Sequence, residues 1–242
     1  MSALGQPLRW LATCGSTNDV AREWGGAGAP HGSLVVTEEQ RQGKGRLGRT
    51  WLSGKGDLMC SLLLRPTSLM PRHAPPLTLL VGLALHTALK EIGIESKIKW
   101  PNDLYIDQRK CAGILTEMST AGQEVSKIIV GVGVNINERA NLSDVNGVAL
   151  GHRDASLTKW SVLDGFLKRF GVLWPEFEKK RSLGTHAQTI TNHLLGNTQM
   201  LDKGGSPFEV RPLKVLQDGA LHYLGPEGKE EQTVSGELRV LS

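Results

Sequence analysis

The sequence predicts an α+β fold: a larger domain with a mixed or antiparallel sheet and flanking helices, then a small β-barrel-like tail. Three observations point there. At 242 residues with 39% apolar content, the chain can bury a sizeable core in one large domain plus an appendage. Helix-like and strand-like periods mix up to about residue 195 without a βαβαβ rhythm. From Gly196 onward the chain becomes short apolar segments cut by Gly, Pro and Asp. The domain boundary is therefore drawn between 1–195 and 196–242.

Each element has its own local reason. A short helix is expected over 16–24, with Ser16 and Asp19 in capping-box-like spacing and Gly25-Gly26 as its stop. Apolar runs at 33–37 and 57–64 read as strands flanking a polar, glycine-rich loop. The clearest helix is 76–92, where Leu77, Leu80, Val81, Ala84, Leu85, Ala88 and Leu89 share one face and Gly93 ends it. Four strands follow at 97–100, 104–106, 110–118 and 125–136, the middle two joined as a hairpin by the turn at Asp107-Gln108-Arg109. Helical spacing returns over 157–180, and the tail carries strand-like segments at 208–216, 220–224 and 237–241.

Composition excludes several classes. Glycine is the outlier, at 29 residues, without a Gly-X-Y period, so its positions mark tight turns or close approach to a ligand. Net charge is +4, which permits an anionic ligand without demanding nucleic acid. Three scattered cysteines, Cys14, Cys60 and Cys111, form neither a disulfide framework nor a zinc pattern and favour a reducing compartment. The longest uncharged apolar stretch, 74–89, holds two prolines and is too short for a membrane span. No HExxH, GxSxG or Walker A pattern occurs.

Four segments carry chemistry. In GKGRLGRTW at 43–51, Gly43, Gly45 and Gly48 alternate with Lys44, Arg46 and Arg49, the mixture that turns backbone N–H groups and guanidinium forks toward phosphate. It satisfies G-x-G-x-x-G only formally, because no strand-turn-helix context surrounds it. A solvated basic loop or a nucleic-acid contact remains open on chemistry alone. In KWPNDLYIDQRKCAGILTEM at 99–118, Asn102 and Asp103 suit either a turn, with Lys99 exposed, or a metal-bound nucleotide that Lys110 reaches across the hairpin. GVGVNIN at 131–137 allows a flat ligand near the backbone, with Asn135 reading an adenine edge, or simply a tight strand end. STND at 16–19 is a helix start whose hydroxyls and N–H groups can also receive a polar group.

Taken in order, these segments resemble the biotin protein ligases: Ser16-Thr17-Asn18, Gln40 three residues before the loop, KWPND, Lys110-Cys111-Ala112-Gly113-Ile114-Leu115, and Gly131-Val132-Gly133-Val134-Asn135. The tail's SGELRV resembles the closing strand of that family. The resemblance implies a class II synthetase-like catalytic domain and a C-terminal SH3-like β-barrel. It also implies that biotin attacks Mg-ATP to give biotinyl-5′-AMP, and that the acyl group then passes to a lysine of a biotin carboxyl carrier domain. Ser16, Thr17, Asn18, Gln40, Lys44, Gly45, Arg46, Lys110 and Gly113 would hold biotin. Arg46, Arg49, Trp51, Asn102, Asp103, Lys110 and Asn135 would hold ATP. Arg46, Lys110 and Arg49 would be catalytic, and Asp103 the candidate Mg²⁺ ligand.

Departures from the family pattern are Lys44 in place of arginine, Cys111 in place of a larger aliphatic, and an insertion-like DKGGSPFE at 202–209. The start of the chain leaves no room for a helix-turn-helix domain, so no sequence-specific DNA binding is expected. A cytoplasmic location and no membrane partner are expected, and a homodimer is left open. The rivals are a lipoate or octanoate ligase of the same fold and a nucleic-acid-binding module using the basic loop. Two tyrosines and four phenylalanines give that module few stacking platforms.

Overall fold

The computed structural model describes residues 4–194 and 198–240. Seven strands form one mixed sheet in the order β1-β2-β3-β7-β6-β5-β4: β1 (Leu8–Leu11), β2 (Leu34–Thr37), β3 (Leu58–Leu64), β4 (Lys97–Lys99), β5 (Asp103–Ile106), β6 (Arg109–Ala121) and β7 (Glu124–Val134). β1 and β2 are parallel, and helix α1 (Thr17–Gly26) supplies the crossover that parallel neighbours need. All other neighbours in this sheet are antiparallel. β1 is an addition to the expected set. It is a mostly exposed edge strand, so it lacks the alternating burial pattern that betrays a strand in sequence.

The sheet is covered on both faces, and every residue of β3 is accordingly buried. One face packs Leu58, Leu62, Leu64, Ile114, Val130 and Val134 against α2 (Pro76–Glu91) and α3 (Lys159–Lys180) in the main core. The other packs Val35, Leu63 and Ile129 against Ala21 of α1 in a smaller cluster. Beyond α1 this second face turns to glycine, and there it opens to a cleft. α2 stops where the sequence indicates, with Gly93 at φ +80° just past the Ile92 cap. The β5–β6 hairpin turns on Asp107 and Gln108, both at positive φ, as a two-residue hairpin loop requires.

The start of α1 differs from expectation. Ser16 is its N-cap by backbone, yet no side-chain capping bond forms, and Asp19 turns outward to Arg22 and Lys44. The helix also runs through Gly25 and Gly26 and ends at Ala27.

The tail is a five-stranded antiparallel sheet in the order β11-β10-β9-β8-β12, with β8 (Gln199–Asp202), β9 (Phe208–Val215), β10 (Leu221–Leu224), β11 (Glu230–Thr233) and β12 (Glu237–Val240). β8, β11 and the preceding helix α4 (His186–Leu194) were not anticipated; β11 reads EEQT and is largely exposed. The 202–209 segment forms the β8–β9 connection and its flanks. The expected boundary at 195/196 lies outside the described residues. Leu201, Val210, Leu221, Tyr223 and Leu238 join the main core, so the tail is docked rather than tethered. Trp100, fully buried, donates from its indole N–H to the Gly219 carbonyl at 3.0 Å. No helix among the described residues is long and apolar enough to cross a membrane.

Candidate active site

The cleft is floored by glycine. Gly113 pairs with Gly133 across β6 and β7, and Gly131 pairs with Ser61 of β3. The indole of Trp51 lies on this floor. A Cβ placed on Gly133 would stand 2.5 Å from Trp51 Cε2, and one on Gly113 2.9 Å from Cζ3. Only a residue without a side chain lets the ring come this close. Trp51 Nε1 is buried without a hydrogen-bond partner among the described residues.

One end of the cleft is lined by neutral polar groups at the start of α1. Thr17 donates from both its backbone N–H and its hydroxyl to Gln40 Oε1, at 2.8 and 3.0 Å. Ser61 Oγ stands 2.6 Å from Asn18 Oδ1 and 2.8 Å from Thr17 Oγ1, its single proton shared between them. Asn18 Nδ2 donates to Glu117 at 2.6 Å, and Glu117 also holds Arg22, which is paired to Asp19, which holds Lys44. A chain of charges thus links the glycine-rich loop to the neutral pocket. Burial alone would raise the Asp19 carboxyl, but Lys44 and Arg22 outweigh it and hold the group below its ordinary range.

The other end is cationic. Lys110 Nζ lies 2.7 Å from Asp103 Oδ1, a contact at ion-pair distance but off the hydrogen-bond direction. A β-bulge brings them together. Asp103 pairs with Gly113 and Tyr105 with Lys110, so Cys111 is the extra residue. Without it, strict alternation would send residues 110 and 113 to opposite faces. Arg46 donates to Asn102 Oδ1 (3.1 Å) and to the Gly236 carbonyl (3.3 Å), and Arg49 pairs with Glu237 at 2.5 Å. Burial pushes Arg46 below its ordinary value, with Asp103 and Glu237 pulling it back. For Glu237, burial pushes upward, but the bond from Arg49 and nearby cations leave it below the usual carboxylate range.

Among the described residues no group of three or more His, Cys, Asp or Glu is arranged to hold a metal. The carboxylates at this end are Asp103, whose Oδ1 faces Lys110, and Glu237, which is held by Arg49, while the Asn102 side-chain carbonyl is committed to Arg46. That fits Mg²⁺ arriving on substrate phosphates and keeping its waters, and it does not fit a protein-only cage.

Of the residues that the resemblance assigns to biotin or ATP, all but Asn135 line this one cleft, of about 120 Å³. Asn135 sits beside it with both ends of its amide engaged. Nδ2 donates to the Lys110 carbonyl, and Oδ1 accepts from Arg139, each at 3.1 Å. Several contributors were missed. Glu237 lines the cleft, and its signal was the SGELRV string. Ser61 and Glu117 fix Asn18. Asp57, fully buried, accepts from the backbone of Ile136, Asn137 and Gly54 and is paired with Arg139. No local pattern could announce a pair 82 positions apart.

Comparisons with known proteins agree on one family. Residues 10–135 match the biotin/lipoate A/B protein ligase family. The bifunctional ligase/repressor BirA of Bacillus subtilis is 40% identical over 140 residues, covering 57% of this chain and 43% of that protein. The biotin--[acetyl-CoA-carboxylase] ligase of Paracoccus denitrificans is 38% identical over 129 residues, covering 52% and 53%. The chain thus spans about half the length of these curated relatives. The biotin protein ligase of Aquifex aeolicus, solved in complex with biotin and ATP, superposes with a TM-score of 0.81 at 30% identity, covering 96% of this chain and 97% of that one.

Proposed function

The chain belongs to the biotin/lipoate A/B protein ligase family, and from that premise we propose that it activates biotin with ATP and transfers it to a lysine of a biotin carboxyl carrier domain. The observation that carries the reading is the convergence of Arg46, Arg49 and Lys110 at one end of a glycine-floored cleft whose other end is neutral and polar.

In the first step a carboxylate oxygen of biotin attacks the α-phosphorus of ATP. The bond from that phosphorus to the bridging oxygen breaks, and pyrophosphate leaves with the electron pair. Two anions must meet, so the cations offset their repulsion and the charge that builds on phosphorus. Arg46 and Lys110 take the carboxylate and α-phosphate oxygens, and Arg49 takes the phosphates when they displace Glu237. Mg²⁺ bound through the phosphates and Asp103 would neutralise further charge. In the second step the acceptor amine attacks the acyl carbon, AMP leaves, and the amine loses its proton. The mixed anhydride is lost to water if exposed, which gives the loop at 43–51 its purpose as a cover. Trp51 supplies the flat platform for the adenylate.

The pocket of Thr17, Asn18, Gln40 and Ser61 favours biotin over lipoate or octanoate. An octanoyl chain would desolvate those groups and give nothing back, whereas a ring urea can bond to them. The three free cysteines support a cytoplasmic setting. The test is incubation with biotin, Mg-ATP and a carrier domain, with the acceptor lysine analysed by mass spectrometry. Biotin amide on that lysine is expected; no label, or lipoate accepted in its place, would overturn the proposal.

A further inference from the structure

Lys99 belongs to the KWPND string, yet the activity proposed above gives it no task. Its place in the sheet does. Lys99 pairs with Asp103 across β4 and β5, and Asp103 pairs with Gly113, which pairs with Gly133. Directly cross-strand partners share a face, so Lys99 lies on the cleft's own face, one strand beyond Asp103. Moving across the sheet, the polar pocket at β3 gives way to the glycine floor, then to Asp103 with Lys110, then to Lys99.

Its ammonium is half-buried and held back against the sheet. It donates to the Tyr105 hydroxyl at 3.0 Å and lies 4.6 Å from the centre of that ring. Among the described residues no carboxylate comes within ion-pair distance of it, although Asp103 and Glu237 both act on it from farther off. A lysine serving only solubility would carry its charge out to water. Burial pushes this one below its ordinary value instead, the mark of a cation kept where water is scarce.

We infer that Lys99, positioned by Tyr105, binds the β- and γ-phosphates of ATP and receives them as the departing pyrophosphate. The inference rests on the proposed activity and extends it. A ligand with its head against Thr17 and its reacting phosphorus near Arg46 and Lys110 directs its remaining phosphates outward, along the row that ends at Lys99. When the bond to the α-phosphorus breaks, negative charge accumulates on the leaving group, and an ammonium held nearby stabilises it. Only the adenylation step uses this contact, because transfer from biotinyl-5′-AMP involves no pyrophosphate.

That asymmetry supplies the test. Biotin-dependent ATP–pyrophosphate exchange is measured for the wild type, Lys99→Met and Lys99→Arg. In parallel, synthetic biotinyl-5′-AMP is given to each with a carrier domain. Loss of a charge-assisted contact predicts a KM for pyrophosphate raised about tenfold or more in Lys99→Met, with substantial recovery in Lys99→Arg. Transfer from the preformed adenylate stays within about twofold of wild type. An unchanged KM for pyrophosphate, or equal losses in both half-reactions, overturns the inference. A wild type that fails to exchange at all refutes the underlying activity instead, so the two failures are distinguishable.

Discussion

Replacing Gly133 by alanine isolates the role of the glycine floor. Gly133 has an ordinary strand conformation, so alanine meets no backbone strain there. By propensity alone the change should stabilise the strand by roughly 0.5–1 kcal/mol. The new methyl, however, would stand 2.5 Å from Trp51 Cε2 and 2.7 Å from Cζ2, where carbon atoms need about 3.5 Å or more. The indole must therefore retreat by about 1 Å. Overpacking of this kind costs about 1–3 kcal/mol, so net stability should fall by no more than about 2.5 kcal/mol. The same displacement at a site that orients reacting groups is worth about a hundredfold in rate. The assay is biotin-dependent ATP–pyrophosphate exchange beside a thermal melt. Gly205→Ala serves as control, since a Cβ there meets nothing within 4 Å. Exchange reduced about a hundredfold with a melting temperature lowered by no more than about 10 °C is expected. Exchange within twofold of wild type would refute the claim that Trp51 must lie on that floor.

Three further perturbations follow from the same structure. Asp57→Ala strands Arg139 and three backbone N–H groups in a buried site; a loss of about 3–5 kcal/mol is expected, read as a melting temperature about 6–20 °C lower. His193 stands edge-on to His86, ring centres 4.5 Å apart, and burial together with His86 pushes its pKa to about 4. The unfolded chain binds that proton near its ordinary value and the folded chain does not, so stability falls as pH drops from about 6.5 toward 4, by no more than about 1–2 kcal/mol because solvent reaches the half-buried ring. Denaturant midpoints at pH 7.5 and 5 should converge in His193→Gln relative to wild type. Glu237 has the opposite chemistry with the same outcome: its depressed carboxyl stabilises above its unfolded pKa near 4.3 and ceases to do so as pH falls through the folded value. Glu237→Gln should flatten the acid limb of a melting-temperature profile below about pH 4.5, by no more than about 1 kcal/mol because Arg49 is largely exposed.

The site was legible where its chemistry is contiguous. The loop at 43–51, the Ser16-Thr17-Asn18 start and the KWPND string each carry their residues within a few positions, and the fold gathers them into one cleft. Asn135 was legible as a motif but not as a role, because Arg139 and the Lys110 carbonyl occupy its amide. Lys99 was visible and unassigned: the face it shares with Asp103 and Gly113 depends on strand register. The same hairpin hides a bulge at Cys111, which turns Lys110 into the cleft and which no spacing rule reveals. Asp57–Arg139 and Arg49–Glu237 are closed by tertiary folding across long sequence gaps. The strands that escaped notice are short, exposed or polar, and β1, β8 and β11 are held by their neighbours rather than by their own patterns.

The most direct test of the central claim is ATP–pyrophosphate exchange in the presence of Mg²⁺, run in parallel with biotin, lipoate and octanoate. A neutral polar pocket feeding a cluster of cations predicts exchange that depends on biotin and is absent with the other two acids. Exchange driven by lipoate or octanoate would contradict the assignment of the pocket, and no exchange with any of the three would contradict adenylation itself.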